Sequence, residues 1–315
     1  MKVSVIIPVY NTEEYLAECL NSLVRQTLDD IEILVVDDGS TDGSLKIAKE
    51  FEAAHPSKIR VLTKENGGQA SARNMALKYA TGEYLGFVDS DDWVDTTMYQ
   101  EMYDAAIRED ADIVICDMED CYPDHVIYHH TSRFESRFRV AGSSCNKFFK
   151  KSLVGDDVFP VGLWYEDFEF SAKQMMKTEK VAVIHKAFYH CHCRESSTMR
   201  NNNALKNLDI LTVLENLERF VWEKGWYEKY AQVLKDFYLE HVLLTSINRV
   251  QRQSAKEKRE VVKKMRQTVV RKNPQFYRSA YFRQMPTNRK IVALLNGVGL
   301  SGLSKILVDL KSKAK

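Results

Sequence analysis

Six cysteines in 315 residues are too few for a disulfide scaffold, which needs a short, cysteine-dense chain. Net charge is almost absent: 45 Lys or Arg meet 44 Asp or Glu, a formal +1. That balance excludes a strongly basic nucleic-acid binder, and 44% hydrophobic residues exclude a disordered chain. No stretch approaches the roughly 18 consecutive apolar residues that a membrane-spanning helix needs. The first apolar run, Val3 to Val9, is too short for a secretory signal and meets Asn11, Glu13 and Glu14 at once. No G-x-G-x-x-G turn follows that run, which disfavours a dinucleotide oxidoreductase. Free thiols without an export signal lead to an expected cytoplasmic location.

The near-zero charge is a sum of opposites. Residues 201–315 carry 23 basic and 10 acidic side chains, and residues 1–200 carry 22 and 34. Two functional parts follow, 1–200 and 201–315.

The first part alternates short β-branched runs (3–9, 31–36, 59–63, 84–89, 113–117) with helical patterns. Leu16, Cys19, Leu20, Leu23 and Val24 make one helical stripe, which Asn11 and Glu14 can cap. A second helix follows Asp42, with Leu45, Ala48 and Phe51 inward. A third spans 69–80, with Gly82 as its C-cap. This alternation predicts an α/β fold, a mostly parallel sheet with helices on both faces. Ligands then bind beyond the carboxyl ends of the strands. Short strands are expected at 181–184 and 188–193, near a helix at 166–176, and helices almost throughout from Asn203.

Chemistry gathers at the strand ends. Pro8-Val9-Tyr10-Asn11 closes the first, Val36-Asp37-Asp38-Gly39-Ser40 the second, and Val88-Asp89-Ser90-Asp91-Asp92 a later one. Asp89 and Asp91 form an Asp-x-Asp pair, whose hard oxygens suit Mn²⁺ or Mg²⁺. Taken singly, each stretch also reads as a polar turn or cap.

Five stretches in order carry a family resemblance: PVYN at 8–11, VVDDGSTDGS at 35–44, ENGGQASARN at 65–74, GFVDSDDW at 86–93 and YEDFEF at 165–170. Together they resemble glycosyltransferase family two, nucleotide-sugar-dependent enzymes with the GT-A fold. The resemblance implies a nucleotide pocket lined by Pro8, Tyr10 and Asn11, with Asp38 on the base and Asp37 supporting the turn. Asn66 and Arg73 would touch the nucleotide or its phosphates, although Arg73 also reads as a surface salt bridge. Asp89 would hold ribose or metal, and Asp91 would be the main metal ligand. Asp167 would be the general base, kept ionised by a helix N-terminus. Glu166 and Trp164 would face the acceptor. Arg194 and Ser197 match residues that close over the diphosphate, and His192 reads equally as a further metal ligand or a neutral strand histidine.

A lone base without a carboxylate nucleophile implies inversion at the anomeric carbon. The implied enzyme is a hexosyl- or N-acetylhexosaminyltransferase that uses a UDP-sugar, requires Mn²⁺ or Mg²⁺ and builds cell-envelope polysaccharide. The missing Gln-x-x-Arg-Trp motif and membrane spans favour non-processive transfer. The alternative is a non-catalytic nucleotide-sugar-binding scaffold of the same fold, against which Asp91 and Asp167 argue.

Two stretches need separate readings. In His190-Cys191-His192-Cys193, adjacent side chains point to opposite strand faces, which disfavours zinc held by that run alone. Asn146-Lys147 reads as part of an acceptor-side helix or as structural, and Cys19 and Cys116 as core thiols. The stretch 249–290 holds 14 basic residues against Glu257 and Glu260, and an amphipathic segment follows. It reads equally as contact with an anionic membrane surface or polyanionic acceptor, and as a solvated bundle or homo-oligomer interface. The expected partners are thus a UDP-sugar and a glycan or lipid-linked acceptor, without nucleic acid, at the inner face of the membrane if peripheral.

Overall fold

Runs of Val, Ile and Leu buried on both faces build the sheet. The computed structural model describes residues 1–131, 138, 142–193 and 203–313. The chain divides into two compact units, one of residues 1–162 and 166–197, the other of 163–165 and 198–315.

Among the described residues the first unit holds nine strands: β1 (Val3–Val9), β2 (Ile31–Asp37), β3 (Ile59–Thr63), β4 (Tyr84–Phe87), β5 (Trp93–Val94), β6 (Ile113–Cys121), β7 (Val126–His129), β8 (Lys147–Lys150) and β9 (Val181–His192). They form one sheet in the order β3-β2-β1-β4-β8-β6-β9-β5, with β7 on β6. The run β3-β2-β1-β4 is parallel, as is β6 with β9. The short β8 lies antiparallel between β4 and β6. Every residue of β1 is buried, which explains its unbroken apolar sequence. Helices α1 (Leu16–Val24), α2 (Ser44–Ala54), α3 (Gln69–Leu77), α4 (Met98–Arg108), α5 (Lys151–Val154) and α6 (Glu166–Lys177) complete the unit. Two apolar clusters form its core, one around Val5, Leu20, Ile33 and Phe148, the other around Ile6, Leu34, Phe87 and Phe149.

Several local expectations are corrected. Helix α1 begins at Leu16 after Tyr15 and has no side-chain cap. Asn11 instead accepts a 2.8 Å hydrogen bond from the Thr41 N–H, so it joins two loops. The expected strands 181–184 and 188–193 merge into one, β9, which ends at His192 and whose pairing with β6 is broken by a register shift near Asp117. Lys147 opens a strand rather than lying in a helix, because Phe148 and Phe149 alternate into the two apolar clusters.

Gly82 is no helix cap either, since α3 ends at Leu77. It lies against β1, where an added Cβ would fall 2.4 Å from the Ser4 backbone nitrogen. Its own N–H donates to Ser4 Oγ at 2.8 Å. Backbone cannot yield as a side-chain tip can, so Gly82→Ala should cost about 2 kcal/mol. A thermal melt should show a fall of roughly 4–8 °C. Gly142→Ala, into open space, serves as the unchanged control.

The second unit is helical: α7 (Asp209–Glu223), α8 (Tyr227–Phe237), a π-helical stretch (Tyr238–Ser246), α9 (Ile247–Arg252), α10 (Lys258–Lys272), α11 (Ala280–Gln284), α12 (Thr287–Gly297) and α13 (Ser301–Lys313). Leu214, Leu217, Val221, Leu243, Ile247 and Met265 fill its interior. No helix among the described residues is long and apolar enough to cross a membrane.

Candidate active site

Parallel strands deliver their carboxyl ends to one edge of the sheet, and the acidic residues lie there. Asp37 ends β2, and its carboxylate accepts from the Ser40 N–H at 3.3 Å, supporting the turn. Asp38 is 2% exposed and braces the next loop. Its oxygens accept from the N–H groups of Gly67 (3.0 Å) and Gly68 (2.7 Å) and from Lys64 Nζ at 2.5 Å. Gly68 has φ +84, a backbone state that glycine adopts freely, immediately before α3. Tyr10 is half-exposed and Asn66 is exposed, so both present surface at this edge. Pro8 does not, because it is buried in β1 opposite Val36.

The turn after β4 is closed by the Asp92 N–H donating to the Asp89 carbonyl at 3.0 Å. Tyr189 of β9 secures it. The Asp89 N–H donates to Tyr189 Oη at 3.1 Å, and that hydroxyl donates to Asp92 Oδ2 at 2.7 Å. Asp92 Oδ1 accepts the His192 N–H at 2.8 Å. Burial pushes the Asp92 carboxyl up to about 8, reinforced by the charges of Asp89 and Asp91. Neither Asp92 nor Tyr189 was expected to contribute. The available signal was the acid count: with three acids in four residues, one turns inward. Cys19 packs beneath, its thiol 3.7 Å from the Asp89 carbonyl, and burial pushes that thiol up.

Asp89 and Asp91 offer hard oxygens on a partly exposed turn, a donor set that fits Mn²⁺ or Mg²⁺. One Asp89 oxygen is held by Arg73 while 37% of the side chain faces solvent. His192 Nδ1 is buried with no hydrogen-bond partner among the described residues. Its ring lies edge-on to Tyr15 and Trp93, at 4.8 and 5.8 Å between centroids.

Arg73 is not at the surface. It is 1% exposed and joins two elements. Nη2 donates to Asp89 Oδ1 at 2.6 Å and Nη1 to Glu166 Oε1 at 2.9 Å. Gln69, one helical turn earlier, donates to the same Glu166 oxygen at 2.6 Å. The two carboxylates hold this guanidinium, so it braces the site rather than reaching for phosphate. Glu166 is likewise corrected: buried and held by Arg73, it has no free surface to orient an acceptor.

Asp167 follows at the start of α6, half-buried, with Oδ1 accepting the Phe168 N–H at 2.8 Å. The helix N-terminus expected to keep it ionised does not act alone. Burial, then the Glu166 charge, push it up to about 7 against the pull of Arg73 and the Phe168 N–H. Lys147 is 1% exposed, donates to Asn146 Oδ1 at 2.8 Å and to the Ser143 carbonyl, and is pushed down to about 8 by burial. Trp164 belongs to the second unit, where its N–H donates to Asp209 at 2.9 Å. Arg194 and Ser197 lie outside the described residues.

Comparison with known proteins gives one consistent result. The family model described as Glycosyl transferase family 2 matches residues 4–187. Putative glycosyltransferase EpsH of Bacillus subtilis is 31% identical over 267 residues, spanning 78% of this chain and 76% of that protein. Glycosyltransferase GlyA of Streptococcus pneumoniae is 34% identical over 221 residues, 63% of this chain but only 32% of GlyA. Among solved structures, Staphylococcus aureus TarS 1–349 in complex with UDP-GlcNAc superposes with a TM-score of 0.74 at 23% identity, covering 99% of this chain and 92% of that one. The shared architecture is the GT-A fold with a helical C-terminal region.

Proposed function

From a chain that belongs to glycosyl transferase family 2, we infer an inverting, metal-dependent, non-processive enzyme that moves one hexosyl or N-acetylhexosaminyl group from a UDP-sugar to an acceptor hydroxyl. The acceptor is a glycan, a glycolipid or a polyanionic polymer of the cell envelope. The observation that carries this reading is the Arg73 bridge, which ties the acidic turn at Asp89 to Glu166, the neighbour of Asp167. It sets a cation-binding turn and a candidate base on one rigid frame.

Asp91, with Asp89 beside it, would hold Mn²⁺ or Mg²⁺, and the bound ion neutralises charge on the departing diphosphate. Asp167 takes the acceptor hydroxyl's proton; with its pKa near 7, it serves as a base at neutral pH. A single candidate base, with no evident carboxylate nucleophile in the sequence motifs, supports inversion. Asn66, on the loop that Asp38 braces, and Tyr10, which follows β1, would contact the nucleotide. The TarS complex with UDP-GlcNAc supports uracil as the base. On the second unit, Ile291 and Leu294 of α12, Val298 just after it, and Leu303, Ile306 and Leu307 of α13 are exposed. With the basic stretch before them, they support contact with an anionic surface.

A panel of UDP-sugars with Mn²⁺ or Mg²⁺, read as UDP release, tests the assignment. One donor should stand above the rest. Asp91→Ala should lower its turnover on the order of 100-fold or more and remove the metal dependence of UDP binding. Equal metal-dependent turnover by that variant would overturn the ligand assignment.

A further inference from the structure

The His-Cys-His-Cys run cannot enclose an ion by itself, but the neighbouring strand supplies what it lacks. Glu119 pairs directly with His190 across β6 and β9, and Cys121 lies two residues on, on the same face as Glu119. One ligand atom from each of Glu119, Cys121 and His190 falls within 4.8 Å of the others, and all three residues are half-buried. We propose that Glu119, Cys121 and His190 bind a borderline-soft divalent ion of the Zn²⁺ class, separate from the hard-oxygen site at Asp89 and Asp91.

Four lines of chemistry support it. The donor set is one carboxylate, one thiolate and one imidazole, which suits Zn²⁺ or Co²⁺ and not Mg²⁺. Tetrahedral bonds of about 2.0–2.3 Å place ligand atoms roughly 3.3–3.8 Å apart, so the three side chains need to close by about 1 Å. His190 carries its outer partner already. Nε2 lies 3.1 Å from Asp95 Oδ1 while Nδ1 lies 3.1 Å from Glu119 Oε2. A carboxylate on the far nitrogen fixes the tautomer and leaves Nδ1 as the ligand, as metal-bound histidines generally require. The ring is further held by stacking on Trp93, 5.4 Å between centroids and 13° between planes. The ion would clip the ends of β6 and β9 together, one residue beyond the Tyr189 that secures the Asp89–Asp92 turn. The rival arrangement is a doubly protonated His190 bridging two carboxylates, which needs no ion.

The test uses the reduced, chelator-stripped full chain titrated with Co²⁺ and followed by absorption. A single bound Co²⁺ with a thiolate-to-cobalt charge-transfer band is expected, displaced by Zn²⁺ and not by Mg²⁺. Cys121→Ser should abolish the band. Glu119→Gln should keep the band at weaker affinity, and Asp95→Asn should weaken binding roughly 10–100-fold. Asp91→Ala and Cys193→Ser should leave it unchanged. Thermal melts check that each variant is folded; Glu119→Gln and Asp95→Asn alter partly exposed side chains and preserve shape. Absence of the band in the wild type, or its survival in Cys121→Ser, overturns the proposal. The outcome is independent of the transferase reading, which rests on other residues.

Discussion

Asp167→Asn should lower sugar transfer by about 10²–10⁴-fold while UDP affinity stays within a few-fold. The amide keeps the shape and the hydrogen bond from the Phe168 N–H but cannot accept the acceptor's proton. The wild-type rate should rise with pH through about 7, because a base acts only when deprotonated and burial holds this carboxyl near 7. That rising limb should vanish in the variant. A stability signature follows from the same shift. The folded state keeps a proton on Asp167 between about pH 4 and 7 that the unfolded chain has released, so the fold loses stability as pH rises through that window. Asp167→Asn removes this loss and should melt above the wild type at pH 8, with the gap closing toward pH 4. Substantial transfer by the variant would remove Asp167 from the role of base; an unchanged difference in melting across pH would remove its raised pKa.

Arg73→Met should be the most destabilising of the site variants. It removes one guanidinium and leaves Glu166 buried without a cation and Asp89 without its anchor. Breaking a buried pair in this way costs about 3–5 kcal/mol, and the half-exposed Asp89 arm argues for the lower end. The melting point should fall by roughly 6–12 °C. Arg73→Met with Glu166→Met should recover most of that loss, since no fully buried charge is left without a partner and two apolar side chains fill the space. Transfer should not recover, because Asp89 is still unanchored. Strictly additive losses in the double variant would show that the two residues act independently. The same comparison separates bracing from phosphate binding: a phosphate ligand would weaken UDP affinity in the double variant while leaving the stability gain intact.

The strands were readable wherever burial made the chain continuously apolar, as in β1 and β2, because sheet burial on both faces leaves a strong signal. Site positions at strand ends were readable for a related reason: Asp89 and Asp91 follow an apolar run and so fall at its carboxyl end. Long-range pairing left no local trace. Lys147 read as part of an acceptor-side helix or as structural, and the strand that carries it depends on β4 and β6, each more than 25 residues away in sequence. Glu166 and Arg73 are 93 residues apart, and no local pattern marks them as a pair. The upward push on Asp167 was not legible because a helix terminus is visible in sequence and burial is not. Gly82 was read as a cap because its role depends on the approach of Ser4, 78 residues earlier.

The position of β8 also bears on how the chain comes off the ribosome. Strands β1 to β4 are complete by Phe87, but β4 acquires its second neighbour only when Lys147–Lys150 arrives. Until then a growing chain carries an apolar sheet with an unpaired edge, the situation that invites pairing with other chains. Four residues close that edge and, in the same step, join β4 to β6. The interval between residues 87 and 147 is therefore the stretch of synthesis in which the β4 edge has no partner from its own chain on that side.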